Sequence, residues 1–286
     1  MPTELTTLPV RRLARGDLLA CADLSEDRGW ERDEHRWGLL LSAGTGYGID
    51  APDGKGLAAS CVVTSYGSEL AAVGVLLVAG RYERQGIGRR LMRHVIETTG
   101  DTPLSLFATE SGKQLYEELG FVHKGPAVRV RGVFRPGPGG ASPAVSTRAA
   151  TAGDLPAILR LDAEVFGADR THMITRLPAF ADQLRVARDG DELIGYAAAW
   201  PSGRAQCVGP LVARDTETAQ ALIAGIAANV VAPLRLDVDA RHTALLDWTA
   251  RSGLEQTGST LMMAYRTADF PGDWTRRFAP LTVAAG

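Results

Sequence analysis

Val73-Gly74-Val75-Leu76-Leu77-Val78-Ala79-Gly80-Arg81-Tyr82-Glu83-Arg84-Gln85-Gly86-Ile87-Gly88-Arg89-Arg90-Leu91-Met92 is the stretch on which the fold turns. An apolar run ends in a short polar turn that carries Gly86 and Gly88, and a helical pattern follows at once. That order builds an anion site. The glycines let the backbone come close, and the free N–H groups of the first helical turn point at the ligand. Arg89 and Arg90 follow directly. The stretch is expected to hold phosphate.

Downstream, residues 88–99 read as a helix with Leu91, Met92, Val95 and Ile96 inward. Residues 103–108 read as a strand. Residues 111–119 read as a short helix stopped by Gly120, and 121–134 as one or two closing strands. Upstream, a short strand at 8–13 precedes a helix opened by Gly16-Asp17. A second helix runs from about 31 to 42, and strands cover 45–51, 57–66 and 70–80. Gly67-Ser68 is a hairpin signal between the last two. Residues 1–135 therefore form one complete α/β unit.

Residues 136–145, with Pro136-Gly-Pro-Gly-Gly-Ala-Ser-Pro143, carry no apolar periodicity and read as a linker. After it the grammar restarts. Ser146-Thr-Arg-Ala-Ala and Gly153-Asp154 mirror Val10-Arg-Arg-Leu-Ala and Gly16-Asp17, and Gly253-Leu254 mirrors Gly120-Phe121. Strands near 184–188, 192–200 and 206–212, a helix at 215–229, a strand at 234–239, a helix at 242–252 and strands to about 266 complete a second unit. The chain reads as an internal duplication.

Composition agrees. A chain of 286 residues suggests two domains at roughly 150 residues each. Its 45% hydrophobic and 22% charged residues are those of a globular protein. A net charge of −2 gives no argument for nucleic acid or an anionic membrane. No apolar run is long enough for a membrane span, and residues 1–10 lack a signal-peptide pattern, so a cytoplasmic protein is expected. The three cysteines, Cys21, Cys61 and Cys207, are far apart and fit buried thiols, not a disulfide frame or a metal site.

Two motifs in this order resemble the GCN5-related N-acetyltransferases. The strand–Gln85-Gly86-Ile87-Gly88–helix turn is similar to that family's acetyl-CoA pyrophosphate loop. Leu115-Tyr116-Glu117-Glu118-Leu119-Gly120-Phe121 is similar to its second motif, near the end of the fold. Gly-x-Gly alone is a weak signal; the two motifs together are specific, and they cover residues 1–135. The resemblance implies an α/β fold of two tandem units, each a mixed, mostly antiparallel sheet flanked by helices. The first unit departs from the family at Glu83, where Arg or Gln is usual, and at Thr109, where Asn often contacts the cofactor. Glu83 is expected to turn away from the pyrophosphate. The second unit, 146–286, resembles the fold in outline only. Its loop counterpart, Val212–Ala219, has no glycines, and Asp215 and Glu217 would repel phosphate. It is expected to be degenerate, with the cofactor bound by the first unit.

The implied chemistry is acetyl transfer from acetyl-CoA to an amine by direct attack in a ternary complex, without a metal. No cysteine is expected near Tyr116 or the glycine turn, which disfavours a covalent relay. Backbone N–H groups of Leu76, Leu77 and Val78 would hold the pantetheine arm and polarise the thioester. Those of Arg84, Gln85, Gly86, Ile87, Gly88 and Arg89 would take the pyrophosphate, with Arg90 and Thr109 nearby. Tyr116 is the candidate general acid for the leaving thiolate. Glu69 and Glu110 are candidate bases, and His35, His94 and His123 weaker ones. Asp27, Trp30 and Trp37 fall where the family walls its acceptor site, and aromatics beside acids suit a cationic amine. Trp30 and Trp37 are read equally well as core or interface anchors. Asp237 and Asp239 share one strand face. The expected partner is a small-molecule amine; homodimer pairing is left open. Two other readings stand beside this one. The first is a non-catalytic acyl-CoA-binding or sensing protein. The second is a mycothiol synthase-like enzyme with catalysis in the second domain.

Overall fold

The computed structural model describes residues 7–136 and 145–286; most of the linker read in the sequence lies outside these residues. The first unit runs β1 (Arg11–Leu13), α1 (Leu18–Asp27), α2 (Glu34–Ala43), β2 (Thr45–Asp50), β3 (Leu57–Tyr66), β4 (Leu70–Val78), α3 (Ile87–Thr99), β5 (Leu104–Ala108), α4 (Glu110–Glu118) and β6 (Val122–Gly132). The second runs β7 (Ser146–Ala149), α5 (Leu155–Phe166), α6 (Thr171–Ile174), α7 (Leu177–Phe180), β8 (Gln183–Asp189), β9 (Glu192–Ser202), β10 (Ala205–Ala213), α8 (Thr216–Ala227), β11 (Leu234–Asp239), α9 (Thr243–Arg251), β12 (Glu255–Tyr265) and β13 (Arg277–Ala279).

The duplication read in the sequence is visible in matched ion pairs. Arg11 grips Asp17 with two hydrogen bonds of 3.1 and 2.8 Å, and Arg148 grips Asp154 with two of 2.7 and 2.8 Å. In each unit the aspartate also accepts a backbone N–H three residues before it, at 2.8 Å, and so ties the first strand to the turn that opens the first helix.

All the strands join in one sheet, in the order β1-β2-β3-β4-β5-β12-β6-β11-β10-β9-β8-β7, with β13 on the side of β10. The pairs β4–β5 and β10–β11 are parallel and the remaining ones antiparallel. The two units exchange their closing strands. β12 pairs with β5 of the first unit, from Leu261 opposite Ala108 to Tyr265 opposite Leu104, and β6 pairs with β11 of the second. The sequence boundary at 135 is therefore not a boundary in space.

Three apolar clusters follow the sheet faces. Leu91, Met92 and Val95 of α3 pack with Tyr47, Cys61, Tyr116 and Phe121 on one face of the first unit. α8 and α9 cover the corresponding face of the second. The opposite faces share one core, in which Trp37, Leu40, Val62 and Tyr66 meet Phe166, Tyr196, Trp200 and Leu281. β3 is covered on both sides, and nine of its ten residues are buried.

Candidate active site

β4 breaks from β5 halfway along. The parallel register holds from Ala71–Leu104 to Val73–Leu106 and then stops. Val75 takes a left-handed backbone (φ 47°), and the register with β3 slips between Ser60 and Val62. A β-branched residue with positive φ is strained, and such a bulge re-aims the strand. The Ser60 hydroxyl donates to the Val75 carbonyl at 3.2 Å and helps hold the kink. Beyond the bulge, Leu76–Val78 keep β3 on one edge, with Ser60 opposite Leu77 and Ala59 opposite Val78, but among the described residues have no paired strand on the other. An extended ligand can add itself to such an edge.

The strand leads to a single 3₁₀ turn, Gly80–Tyr82, and then to α3. Arg84 and Gly86 both have positive φ, at 58° and 78°. Gly86 is the N-cap of α3, with no side chain capping its first turn. Free N–H groups, the helix dipole and a glycine at the approach point converge here, as an anion requires. A Cβ on Gly88 would sit 3.4 Å from Val78 and 3.6 Å from Leu115, so this glycine also sets how closely helix and strand pack. Ile87 is fully buried and anchors the turn, and Gln85 is exposed. Arg89 is ion-paired with Glu118. Gly86, Arg89, Arg90, Arg93, His94 and Glu97 line a groove beside α3 that is basic on balance.

Tyr116 lies in α4, almost wholly buried, and packs edge-on against Phe121 with ring centres 5.8 Å apart. Burial pushes its phenol well above the ordinary value and keeps it protonated. Cys61 lies in the same cluster, contrary to the expectation of no cysteine nearby. Its thiol is fully buried and raised to about 12 by desolvation, which leaves it an unreactive thiol. Thr109 is the N-cap residue of α4, and its hydroxyl sits 3.2 Å from that of Ser111.

The two candidate carboxylates are far apart in the fold. Glu69 stands in the exposed β3–β4 turn, at the end of β4 opposite the glycine loop, where a hydrogen bond from its own backbone N–H, and then one from the Ser68 hydroxyl, hold its carboxyl below the ordinary value. Glu110 begins α4, two residues after Ala108, at the end of β5 that opens away from β4. His35 contacts the Phe180 carbonyl at 2.7 Å, His94 packs on Tyr47 and His123 pairs with Glu117 at 2.7 Å. Each is committed to another partner.

Trp37 is a core residue and does not wall a site. It is fully buried, and its indole N–H donates to the Ser25 hydroxyl at 2.9 Å inside the core shared by the two units. Trp30 is 38% exposed, with the Arg36 guanidinium 5.9 Å from its ring. Asp27 accepts the Gly80 N–H at 2.6 Å, and Arg28 ion-pairs with Glu83. Neither Arg28 nor Ser60 carries a spacing signal in the sequence: Arg28 meets Glu83 in the loop 55 residues on, and Ser60 meets Val75 on the neighbouring strand.

At the corresponding place in the second unit, β10 parts from β11 after Cys207 and Arg235. The next helix, α8, is capped by Asp215, which accepts the Thr218 N–H at 2.8 Å. Asp237 is buried against Arg129 at 2.8 Å, and Asp239 is held by Arg241 at 2.7 Å, so both carboxylates on that strand face are paired.

Two family models, each described as an acetyltransferase (GNAT) domain, match residues 59–134 and 158–279, one in each unit. The chain belongs to the GNAT acetyltransferase family. It is a tandem GNAT protein and an acyltransferase. It is 27% identical over 241 residues to an uncharacterized N-acetyltransferase, YitH, of Bacillus subtilis (strain 168), covering 83% of this chain and 84% of that one. The fold is similar to that of a Pyrococcus horikoshii protein of known structure, with a TM-score of 0.81 at 16% identity, over 98% of this chain and 96% of the other. It is also similar to a tandem GNAT protein from the clavulanic acid biosynthesis pathway, with a TM-score of 0.63 at 14% identity, over 90% and 98%. Among the described residues of this tandem GNAT protein, no helix is long and apolar enough to cross a membrane, and no cluster of metal-binding side chains is found.

Proposed function

We propose that the first unit, residues 1–135, is an acetyl-CoA-dependent N-acetyltransferase and that the second, 146–286, has lost its cofactor site. The observation that carries this reading is the open edge of Leu76–Val78, which runs from the Val75 bulge into the uncapped, glycine-led N-terminus of α3. Pantetheine would add to that edge as a strand, and the pyrophosphate would take the N–H groups of Arg84–Arg89. The backbone N–H groups after the bulge would polarise the thioester carbonyl. The basic groove beside α3 offers counter-charge for the remaining phosphate.

The amine would approach from the side of α1 and α2 and attack the thioester directly. Its nitrogen forms the new C–N bond, the C–S bond breaks, and Tyr116 supplies a proton to the departing thiolate. Glu110 is the better placed of the two carboxylates to take the amine proton through water, because it begins α4 just beyond the open end of β5. Glu69 is at the wrong end of β4 for this role. The acceptor would be a small amine. Asp27 and Trp30 remain at its rim.

The test is release of coenzyme A thiol from acetyl-CoA against a panel of small amines. Amine-dependent release, lost in Tyr116→Phe and Gly86→Glu, supports the reading. Release at wild-type rate from both variants contradicts it.

A further inference from the structure

The segments Val73-Gly74-Val75-Leu76-Leu77-Val78 and Val208-Gly209-Pro210-Leu211-Val212-Ala213 occupy equivalent places in β4 and β10. Each parts from its parallel neighbour just before the glycine, after Val73–Leu106 in one and Cys207–Arg235 in the other. In the first unit the slot that opens has no paired strand among the described residues. In the second it is filled by the chain itself. β13 lies antiparallel along β10, with Ala279 opposite Leu211 and Arg277 opposite Val212, and the Ala213 N–H donates to the Arg276 carbonyl at 3.0 Å. Leu211–Ala213 are the counterparts of Leu76–Val78, the residues assigned above to the pantetheine arm.

The phosphate end of the same site is also occupied from within. Where Gly86 leaves the first turn of α3 uncapped, the Asp215 carboxylate accepts the Thr218 N–H and hydroxyl, at 2.8 and 2.7 Å, at the head of α8. A carboxylate on the positive end of a helix satisfies the field that a phosphate would satisfy.

After β13 the chain crosses the shared face of the sheet. A Cβ on Gly209 would lie 2.2 Å from the Pro280 carbonyl oxygen, and one on Gly74 would lie 2.1 Å from that of Ala284. Tyr66 donates its hydroxyl to the Ala285 carbonyl, and Leu281, Ala284 and Ala285 are buried. Residues 280–286 thus run from the bulge of one unit to the bulge of the other, and only glycine admits them at either end.

We propose that Asp215 and residues 276–279 are a built-in substitute for a cofactor: the carboxylate stands for a phosphate and β13 for a pantetheine arm. The second unit is thereby closed to coenzyme A and serves to hold residues 280–286 against the thioester strand of the first. The proposal rests on the reading that Leu76–Val78 line a cofactor slot, and its test separates the two.

Hydrogen exchange on the full chain is followed by peptide, without ligand and with coenzyme A in excess. Without ligand, segments 211–213 and 277–279 should exchange on the order of a hundredfold more slowly than 76–78. Equal rates overturn the proposal. With coenzyme A, protection gained at 76–78 and 84–89 alone supports it, and protection gained at 211–216 overturns it. If coenzyme A changes nothing but the difference without ligand stands, the substitute is upheld and the cofactor reading of the first unit fails.

Discussion

Arg28, at the end of α1, is ion-paired with Glu83, the residue that departs from the family pattern in the glycine loop, and the neighbouring Asp27 accepts the Gly80 N–H at 2.6 Å. The two contacts tie the α1–α2 junction to the glycine loop. The Glu83 carboxylate is turned to a guanidinium. Both side chains are partly exposed, so the pair contributes only about 0–1 kcal/mol to stability. Its effect should be read in binding. Arg28→Ala leaves Glu83 without this partner beside the proposed pyrophosphate site and is expected to raise KM for acetyl-CoA about threefold to tenfold, the range of a charge contact of about 1 kcal/mol. Glu83→Gln should leave KM at or below wild type, and the double variant should resemble Glu83→Gln. Steady-state kinetics of the four proteins check this.

Tyr116 is held protonated by burial. A group whose folded pKa is raised keeps its proton until pH passes that value, so an acid role is lost only above the ordinary phenol range of about 10. The kcat profile should show no alkaline fall assignable to Tyr116 below that pH. Tyr116→Phe should lower kcat by about 10²–10⁴, as for loss of a general acid, with little change in acetyl-CoA affinity. A pH series of both proteins, with binding measured separately, checks it.

Trp37 separates a packing role from an acceptor role. Trp37→Ala should cost about 3–5 kcal/mol, as for a large buried aromatic, while Trp37→Phe keeps most of the packing and loses the bond to Ser25. Denaturant unfolding should register both substitutions. The acceptor KM of the Phe variant should match wild type.

Asp154 supplies a pH signature. Arg148, Thr151 and Arg188 hold its carboxyl well below the ordinary value, and Asp17 is held down in the same way, chiefly by Arg11. A depressed folded pKa gives stability that is fully present above the unfolded value of about 3.9 and is lost as pH falls from there. Asp154→Asn should therefore unfold at lower temperature than wild type near neutrality, with the gap narrowing below about pH 4. Thermal unfolding at pH 3 and pH 6 measures the gap.

The glycine loop, the Tyr116 helix and the duplication were legible because each is local. Gly86 and Gly88 sit where a helix begins, and the Arg–Asp pairs at 11/17 and 148/154 repeat one spacing. The exchange of β6 and β12 was not legible. Both strands read as ordinary closing strands, and their partners are set by the shared core, not by any nearby residue. β13 was missed because three residues, Arg277–Ala279, carry no periodicity, and their extended state is fixed by the slot beside Leu211. Trp37 was ambiguous for the same reason. An aromatic on a helix reads alike whether it faces a ligand or a second unit, and here it faces the second unit.

The most direct test of the account is calorimetric titration of the full chain with coenzyme A. The account predicts one site per chain, lost in Gly86→Glu and unaffected by Asp215→Ala. Two sites per chain, or binding that survives Gly86→Glu, would contradict it.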